Sequence, residues 1–348
     1  MSDFWQGKRV LITGHTGFKG SWLALWLHSL GAEVFGFALE PDTHPSLFDQ
    51  LRLVEKIHHR VGDIRESQTL KEYLKFSQAD VVFHLAAQPL VLRGYRESLL
   101  TWDTNVMGTV NLLEAARDLK YPSTIVAVTT DKVYHNLETN HFYSEDDRLG
   151  GLDPYSASKA AAELSIQSYR SVFTQERLPV KLVSARAGNV IGGGDWAEDR
   201  LIPDIVRALS KGEHIKVRNH QAVRPWQHVL EPLFGYISMA ESVAKDEIGV
   251  STLNFGPERS EMRSVGDVID SALEHWPGKF QTLDQSNAPH EAGLLMLSIE
   301  KAKECLGWTP KWDFSTTIGK TMTWYKEAQN GGDILSLTLR QIREFESA

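Results

Sequence analysis

Two side chains in the middle of the chain, Tyr155 and Lys159, have the types and the spacing of a proton-transfer pair. They follow Asp153-Pro154, which is typical of a helix start because aspartate caps the first turn and proline suits its first position. Residues four apart lie on one face of a helix. A lysine ammonium beside a phenol favours the phenolate, so the pair predicts a tyrosine base that works near neutral pH.

Three glycines near the N-terminus, Gly14, Gly17 and Gly20, predict where a cofactor binds. They lie between an apolar run that predicts a strand and a segment with helical apolar spacing. The first glycine permits a tight turn, the second lets the backbone approach a pyrophosphate, and the third lets the helix pack closely. The free N–H groups of the helix then face the phosphates. We therefore expect a bound dinucleotide.

The end of the second predicted strand indicates which dinucleotide binds. An acidic residue there holds the ribose hydroxyls, whereas an arginine accommodates the extra phosphate of NADP. Ala38 occupies one alignment of that position, Glu40 follows, and no arginine or lysine occurs between Phe37 and Pro45. We expect NAD, with Glu40 either holding the ribose or lying in a solvated loop. Asp63 either contacts the adenine or caps the helix that follows it.

The elements that must position these groups alternate along the first half of the chain. Apolar runs predict strands and apolar periodicity predicts helices, with strands at 9–13, 33–39, 57–61, 79–85, 123–129 and 180–185 and helices at 18–30, 99–119 and after Pro154. Such alternation means parallel strands joined by crossover helices. The expected fold class is therefore α/β, with a doubly wound parallel sheet of the Rossmann type.

After residue 187 the pattern changes to a glycine-rich loop and then to short segments with several prolines and tryptophans. We expect this part to form a smaller, partly interleaved substrate lobe. The predicted boundaries are a NAD-binding domain over 1–187, to which 225–255 returns, and a substrate lobe over 188–224 and 256–348.

Composition argues against several other functions. The 348 residues carry a net charge of −8, which disfavours a nucleic-acid partner, and no stretch approaches the roughly 20 apolar residues of a membrane span. The single cysteine, Cys305, cannot form an internal disulfide, which together with the lack of a signal peptide favours a cytoplasmic protein. His58-His59 lies without organised acids or thiols nearby in sequence, so we expect no metal site.

Four motifs together resemble the extended short-chain dehydrogenase/reductase family, in its NAD-dependent epimerase/dehydratase branch. They are the glycine loop, the strand end His84-Leu85-Ala86-Ala87, Asn105 and Tyr155-x-x-x-Lys159. Longer blocks resemble the nucleotide-sugar 4,6-dehydratases of this family that act on CDP-glucose, namely 14–22, 87–91, 104–109, 186–196 and 224–233. The similarity runs from about Phe4 to about Trp312.

Thr130-Asp131-Lys132 carries the feature that separates dehydratases from epimerases in this family, since epimerases usually lack the Asp-Lys pair. The resemblance implies that Tyr155 takes the proton of the sugar 4-hydroxyl as hydride passes to NAD, with Thr130 bonded to the same oxygen. Lys132 would then remove the C5 proton, which requires a lowered pKa. Asp131 would protonate the departing 6-hydroxyl, which requires a raised pKa. The alternative is a surface Asp–Lys pair.

Two sets of contacts complete the prediction. The cofactor contacts are Gly14, Thr16, Gly17, Phe18, Lys19, Gly20, Glu40, Asp63, Ile64, Leu85, Ala86, Ala87, Gln88, Asn105, Thr129, Tyr155 and Lys159. A nucleotide diphosphate needs cationic forks, and the substrate contacts are Gln88, Thr130, Asn189, Trp196, Arg200, Arg218, Arg224 and His290. Trp196 either stacks on a base or packs the lobe.

The chain departs from the resembled pattern at two places. Val133 stands where the family has cysteine, and 288–293 lacks two histidines of the family pattern. Three functions therefore stay open: NAD-dependent dehydration of CDP-glucose, dehydration or 4-epimerisation of another nucleotide sugar, and a NAD-binding scaffold without catalysis. The resemblance also implies a homodimer or homotetramer, paired through the helices near 99–119 and 154–173.

Overall fold

The computed structural model describes residues 3–217, 219–282 and 294–348, and its centre is a seven-stranded sheet. The strands are β1 (Arg9–Thr13), β2 (Glu33–Ala38), β3 (His58–Val61), β4 (Val81–His84), β5 (Ser123–Val128), β6 (Val180–Ala187) and β7 (Thr252–Phe255). Their order is β3-β2-β1-β4-β5-β6-β7 and every neighbouring pair is parallel. The doubly wound α/β fold is confirmed. Strands before β4 are added on one side of β1 and later strands on the other, and ligands of such folds bind at the point between β1 and β4 where this order reverses.

The seventh strand was not predicted from the sequence. It pairs with β6 and lies at the end of the segment 225–255 that we expected to return to the sheet. The helix Leu230–Ala244 precedes it and packs on β5 and β6. The domain boundaries themselves stay a prediction.

Alternate residues of β1 point to opposite faces of the sheet, as the pleat requires. Leu11 joins a core cluster with Ile125 and Ile166, whereas Val10 and Ile12 join a larger one on the other face. The first face is covered by the helices Ser67–Ser77, Gly108–Ala116 and Pro154–Gln175. The second face is covered by the helices Phe18–Ser29 and Leu230–Ala244. Burial on both faces explains why the central strands β1, β4 and β5 are mostly apolar, whereas the edge strand β3 is polar and largely exposed.

The predicted helix at 99–119 consists of three consecutive segments. These are Ser98–Trp102, a π-helical turn at Asp103–Met107, and Gly108–Ala116. A π turn inserts an extra residue into the helix and is often found at functional sites. Here it carries Asn105, one of the predicted site residues.

The remaining elements surround the sheet and build the lobe. The longer helices are Leu201–Ser210, Val265–His275, Glu300–Leu306, Phe314–Gln329 and Ile334–Ser347, and the shorter ones are Asp3–Trp5, Leu47–Gln50, Leu53–Glu55, Val91–Arg96, Asp131–Val133 and Arg259–Glu261. Four pairs of short strands join Phe142–Tyr143 to Met296–Leu297, Val190–Ile191 to Gln227–His228, Ile215–Val217 to Phe280–Thr282, and Val223–Arg224 to Arg263–Ser264. The expected loop at 188–195 therefore contains a two-residue strand.

The C-terminal helix packs on the cofactor domain. The Trp26 indole N–H donates to Glu346 at 2.8 Å, and its ring meets Phe345 edge-on. The lobe is thus interleaved with the sheet domain. Across the three described ranges, no helix has the length and apolarity that a membrane crossing needs.

Candidate active site

The glycine loop joins β1 to the helix Phe18–Ser29 at the carboxyl edge of the sheet. Gly14 has a φ of 79°, and a Cβ there would lie 2.7 Å from the Ala86 nitrogen. A Cβ on Gly20 would collide with the Gly14 carbonyl oxygen. Only glycine fits at these two positions, because one needs left-handed backbone and both touch neighbouring main chain.

The helix behind the loop presents an N-terminus without a side-chain cap. Its N-cap residue is the exposed Gly17, and no acidic side chain lies in the first turn. The free N–H groups and the positive end of the helix dipole attract an anion. With the glycine cradle, this arrangement fits the pyrophosphate of a dinucleotide.

A cavity of about 740 Å³ runs from this loop along the carboxyl ends of the strands into the lobe. Its volume lies in the usual range for a ligand site. Among the predicted site residues, those that line it are Gly14, Thr16, Gly17, Phe18, Lys19, Gly20, Glu40, Asp63, Ile64, Leu85, Ala86, Ala87, Gln88, Thr129, Thr130, Lys132, Tyr155, Lys159, Asn189, Trp196, Arg200 and Arg224. Arg218 and His290 lie outside the described residues.

Asn105 is buried and does not line the cavity, so its role as a cofactor contact stays a prediction. Its Oδ1 accepts from the Gln88 backbone N–H at 2.8 Å. Its Nδ2 donates to the Gln88 carbonyl at 3.1 Å and to Ser158 Oγ at 2.9 Å. The amide is engaged by the protein on both sides. Asn105 therefore ties the segment after β4 to the Tyr155 helix.

Asp131 also lies behind the wall, which changes how an acid at this position can act. Its side chain is 0% exposed, and its Oδ1 accepts from Thr130 Oγ1 at 2.9 Å and from Lys132 Nζ at 3.3 Å. Its Oδ2 is buried, and among the described residues it has no hydrogen-bond partner. Asp131 therefore does not line the cavity, and its Oδ1 is joined to it through Thr130 and Lys132, which do.

Tyr155 stands at the start of the helix Pro154–Gln175, where Asp153 caps the helix by accepting from the Ser156 N–H at 3.0 Å. Burial raises the pKa of the Tyr155 phenol to about 12, against a hydrogen bond with Thr130 that lowers it. The Asp131 carboxylate raises this pKa further, whereas the Arg200 guanidinium lowers it. Thr130 therefore connects the phenol to Asp131 through one continuous set of hydrogen bonds.

Lys159 lies on the same helix face, but its ammonium donates to the Val128 carbonyl oxygen at 3.3 Å. Burial lowers its pKa to about 8, against the Glu163 carboxylate, which raises it. Burial is the largest influence on the pKa of Tyr155 and Arg200 is a cation that lowers it. The lowering of this pKa by Lys159 stays a prediction.

Lys132 faces the cavity from the turn after β5, with 26% of its side chain exposed. Its ammonium donates to Asp131 and, at 3.4 Å, to the Asn189 side-chain oxygen. Asn189 comes from the loop after β6, so this bond links two strand ends across the cavity. The surface-pair alternative does not describe an arrangement in which the carboxylate is completely buried.

A buried ion pair joins the helix Pro154–Gln175, the catalytic helix that carries Tyr155 and Lys159, to β6. Arg186 Nη2 lies 2.9 Å from Glu163 Oε2, and these side chains are 1% and 0% exposed. Glu163 also accepts from Thr129 Oγ1 at 2.5 Å and from Ser184 Oγ at 2.9 Å. These bonds lower the pKa of Glu163 against the effect of burial. We had not assigned this pair, although the 155/159/163 spacing puts all three side chains on one helix face.

The end of the cavity beside β2 and β3 is held together by side-chain hydrogen bonds. Thr16 Oγ1 donates to the Leu39 carbonyl at 2.9 Å, which ties the glycine loop to the segment carrying Glu40. Asp63 accepts a bidentate pair from Arg65, and this hydrogen bonding lowers the pKa of the Asp63 carboxyl. The next helix has Glu66 as its N-cap residue, so Asp63 is not its cap.

The substrate end gathers cations and aromatic rings. Arg200 Nη1 pairs with Asp195 at 2.8 Å, and Arg224 Nη1 donates to the Val223 carbonyl at 3.1 Å. Trp196 meets Tyr325 edge-on at 5.2 Å between ring centroids and donates to a glutamine, so it packs the lobe in this structure. Lys216 also lines this end; nothing in its local sequence marked it, because a short strand brings it there.

The side chains of the two adjacent histidines bond to different partners. His58 Nε2 lies 3.1 Å from Glu33, and His59 Nδ1 lies 2.7 Å from His15 Nε2. Within the part of the chain that the structure describes, no group of three or more histidine, cysteine, aspartate or glutamate side chains could hold a metal ion.

Comparisons with known proteins identify relatives of the whole chain. The profile of the family described as GDP-mannose 4,6 dehydratase matches residues 11–321. The chain is 45% identical to a CDP-glucose 4,6-dehydratase of Salmonella typhimurium over 99% of its own length and 98% of that protein. It is 28% identical to the low-salt glycan biosynthesis protein Agl12 of Haloferax volcanii, over 91% and 98% of the two chains.

Solved structures share the fold. A dTDP-glucose 4,6-dehydratase from Bacillus anthracis in complex with NAD superposes with a TM-score of 0.78 and 23% identity, covering 94% of this chain and 100% of that one. A UDP-glucuronic acid 4-epimerase from Bacillus cereus with UDP-glucuronic acid and NAD gives 0.77 and 21%, covering 92% and 99%. At these identities the likeness concerns the architecture, which dehydratases and epimerases have in common.

Proposed function

The chain belongs to the GDP-mannose 4,6 dehydratase family, and from this premise we propose that it is a NAD-dependent 4,6-dehydratase of CDP-glucose. The observation that carries the proposal is the 45% identity to the Salmonella CDP-glucose 4,6-dehydratase over nearly the whole of both chains. The Asp131-Lys132 pair beside Tyr155 supports dehydration over simple epimerisation. The product is CDP-4-keto-6-deoxyglucose.

The glycine cradle and the uncapped helix N-terminus would hold NAD, with Glu40 and Asp63 at its adenosine end. When bound there, NAD supplies an acceptor for the C4 hydride and returns that hydride to C6. The absence of arginine and lysine between Phe37 and Pro45 supports NAD over NADP.

Tyr155 and Thr130 act on the sugar 4-hydroxyl. Tyr155 takes its proton, and Thr130 holds the same oxygen in place. The hydrogen bonds from Tyr155 to Thr130 and from Thr130 to Asp131 connect the phenol to the buried carboxylate and give its proton a path once the reacting groups are bound.

Lys132 acts on C5 and on the C6 oxygen. Its nitrogen takes the C5 proton and gives it to the departing hydroxyl, which leaves as water. The proton from the 4-hydroxyl, held by Asp131, then passes through Lys132 to C5 as hydride returns to C6. Two protons leave the sugar and two are used, so the balance closes without an outside donor. In this account Asp131 acts through Lys132, since it does not line the cavity.

The apolar side chains exposed on two packed helices support the homodimer. Leu99 and Leu164 are 82% and 57% exposed, and Trp102 and Met107 lie exposed near them along the chain. Large exposed apolar side chains of this kind mark protein interfaces. We propose pairing through the helices over 98–116 and Pro154–Gln175, and a cytoplasmic location for the enzyme.

The direct test is to incubate the purified protein with the CDP, dTDP, UDP and GDP forms of glucose and to follow product mass. We expect loss of one water from CDP-glucose with no NAD consumed, and no loss with Tyr155→Phe. If another sugar nucleotide lost water in preference to CDP-glucose, that nucleotide would replace CDP-glucose as the proposed substrate. A product that is an isomer of unchanged mass would show epimerisation in place of dehydration. If none of the four sugar nucleotides gave a product, the result would favour a NAD-binding scaffold without catalysis.

A further inference from the structure

Lys19 belongs to the glycine loop by sequence, and its side chain lines the cavity and reaches the helix Leu230–Ala244. Its Nζ lies 3.5 Å from the Tyr236 hydroxyl, to which it donates, and 5.8 Å from the centre of that ring. Tyr236 is 0% exposed and comes from the helix Leu230–Ala244. The charges of Tyr155 and Asp131 both act on Tyr236. Lys19 thus connects the phosphate-binding loop to the groups that handle protons.

The charges around Lys19 are mostly of its own sign. Arg200, Lys159 and Lys132 lower its pKa and Asp131 raises it, while burial is the largest influence and brings the pKa to about 7. These groups come from the lobe, from the Tyr155 helix and from the turn after β5. Among the described residues, no carboxylate lies within ion-pair distance of Lys19 or Lys159, whereas Arg200 has Asp195 and Lys132 has Asp131.

In its ammonium form the half-buried Lys19, which donates to the buried Tyr236 hydroxyl, exerts a field on its surroundings that is screened less than in bulk water. The 4-hydroxyl must contact Tyr155, and C4 must contact the nicotinamide for hydride to pass. The nicotinamide therefore lies near Tyr155, in the field of Lys19. Oxidised nicotinamide carries a positive charge, whereas the reduced ring is neutral, so the two forms interact differently with a nearby cation.

We propose that Lys19 biases the bound cofactor toward its reduced form, by repelling the oxidised nicotinamide ring more than the reduced one. This inference rests on the proposed binding of NAD. It gives Lys19 a positioning and electrostatic role distinct from a contact with phosphate, which would affect both forms alike. The bias favours removal of hydride from C4 and keeps the cofactor reduced while water is eliminated.

The test measures the Kd of NAD+ and of NADH for the purified full chain by calorimetry, without sugar substrate. In Lys19→Met we expect the ratio of the NAD+ Kd to the NADH Kd to fall about tenfold, since one charge is removed near the ring. Lys19→Arg keeps the charge and should keep the ratio within about twofold. Lys216→Met removes a cation at the substrate end of the same cavity and should leave the ratio unchanged.

Equal weakening of both forms in Lys19→Met would overturn the proposal, because it would make Lys19 a phosphate contact only. An unchanged ratio in Lys19→Met would overturn it as well. Thermal unfolding of each variant identifies one that fails to fold, and Lys19→Gln then replaces Lys19→Met with the same expectation. If the wild-type chain binds neither form, the proposed function fails instead, so the two failures are distinguishable.

Discussion

The two halves of the cavity are built differently. The cofactor half consists of the glycine loop and the carboxyl ends of β1, β2 and β4, where main-chain atoms define the shape. The proposed substrate half consists of loops after β6, where side chains such as Asn189, Arg200 and Arg224 line the cavity. The first half needs backbone geometry, and the second needs charge. Substitutions in the cofactor half should therefore change cofactor affinity, and substitutions in the substrate half should change substrate affinity.

Tyr155 lies where the two halves meet, and its loss should have the largest effect. Tyr155→Phe removes the group that takes the 4-hydroxyl proton, so we expect kcat to fall by about 10³-fold or more, near the upper range for acid–base groups. NAD affinity should stay within about twofold, because a ring of the same shape remains. Initial rates and calorimetry check both statements.

The matched control is Tyr169→Phe, a tyrosine of the same helix whose hydroxyl bonds Glu114 at the surface. It should keep its rate. If Tyr155→Phe kept more than a tenth of wild-type kcat, proton transfer would have to be assigned to another group.

The buried pair beneath the catalytic helix should dominate stability. Glu163→Gln leaves the Arg186 charge unpaired, which should cost about 3 kcal/mol in the free energy of unfolding. Glu114→Gln, which breaks an exposed pair with Arg117, should cost less than about 1 kcal/mol. Urea unfolding of both variants at neutral pH gives the comparison, and equal losses would mean that the buried pair adds no stability.

The same pair predicts a pH dependence. The pKa of Glu163 is lowered in the folded chain, so its stabilisation is present above the unfolded pKa and is lost as pH falls through the folded pKa. The wild-type chain should lose more stability on acidification than Glu163→Gln does. Parallel losses for the two proteins would contradict the lowered pKa.

The cofactor half should be sensitive to a single methyl group. Gly14→Ala strains a backbone with φ of 79° and places a Cβ against Ala86, so we expect NAD affinity to fall about tenfold or more. Gly212→Ala is the matched control, because that glycine has a φ of 69° and open space around its Cα. Titration with NAD should show unchanged affinity in Gly212→Ala. A similar loss of affinity in both variants would mean that the glycine loop does not determine cofactor binding.

The substrate half should respond through KM alone. Arg224→Met removes a guanidinium that we assign to the substrate diphosphate, so KM for CDP-glucose should rise about tenfold. The affinity for NAD should not change. Arg343→Met, on the C-terminal helix, should alter neither quantity. If NAD affinity fell in Arg224→Met, the cofactor half and the substrate half of the cavity would not be independent of each other.

The two halves also differ in how much of each could be predicted from the sequence. Gly14, Gly17 and Gly20, and Tyr155 with Lys159, act over a few residues, so their spacing was sufficient. The burial of Asp131, the bond from Lys159 to the Val128 carbonyl and the engagement of Asn105 by Gln88 depend on partners that are distant in sequence. No local pattern encodes such partners. β7 was missed for a similar reason, since its four residues become a strand by pairing with β6.

The central claim is that hydride leaves C4 and returns to C6 of the same sugar within one turnover. The most direct measurement uses CDP-glucose labelled with deuterium at C4 and locates the label in the product by NMR. We predict a product that has lost one water and carries the deuterium at C6, with unlabelled NAD at the end. Deuterium retained at C4, or found in the cofactor pool, would contradict the account.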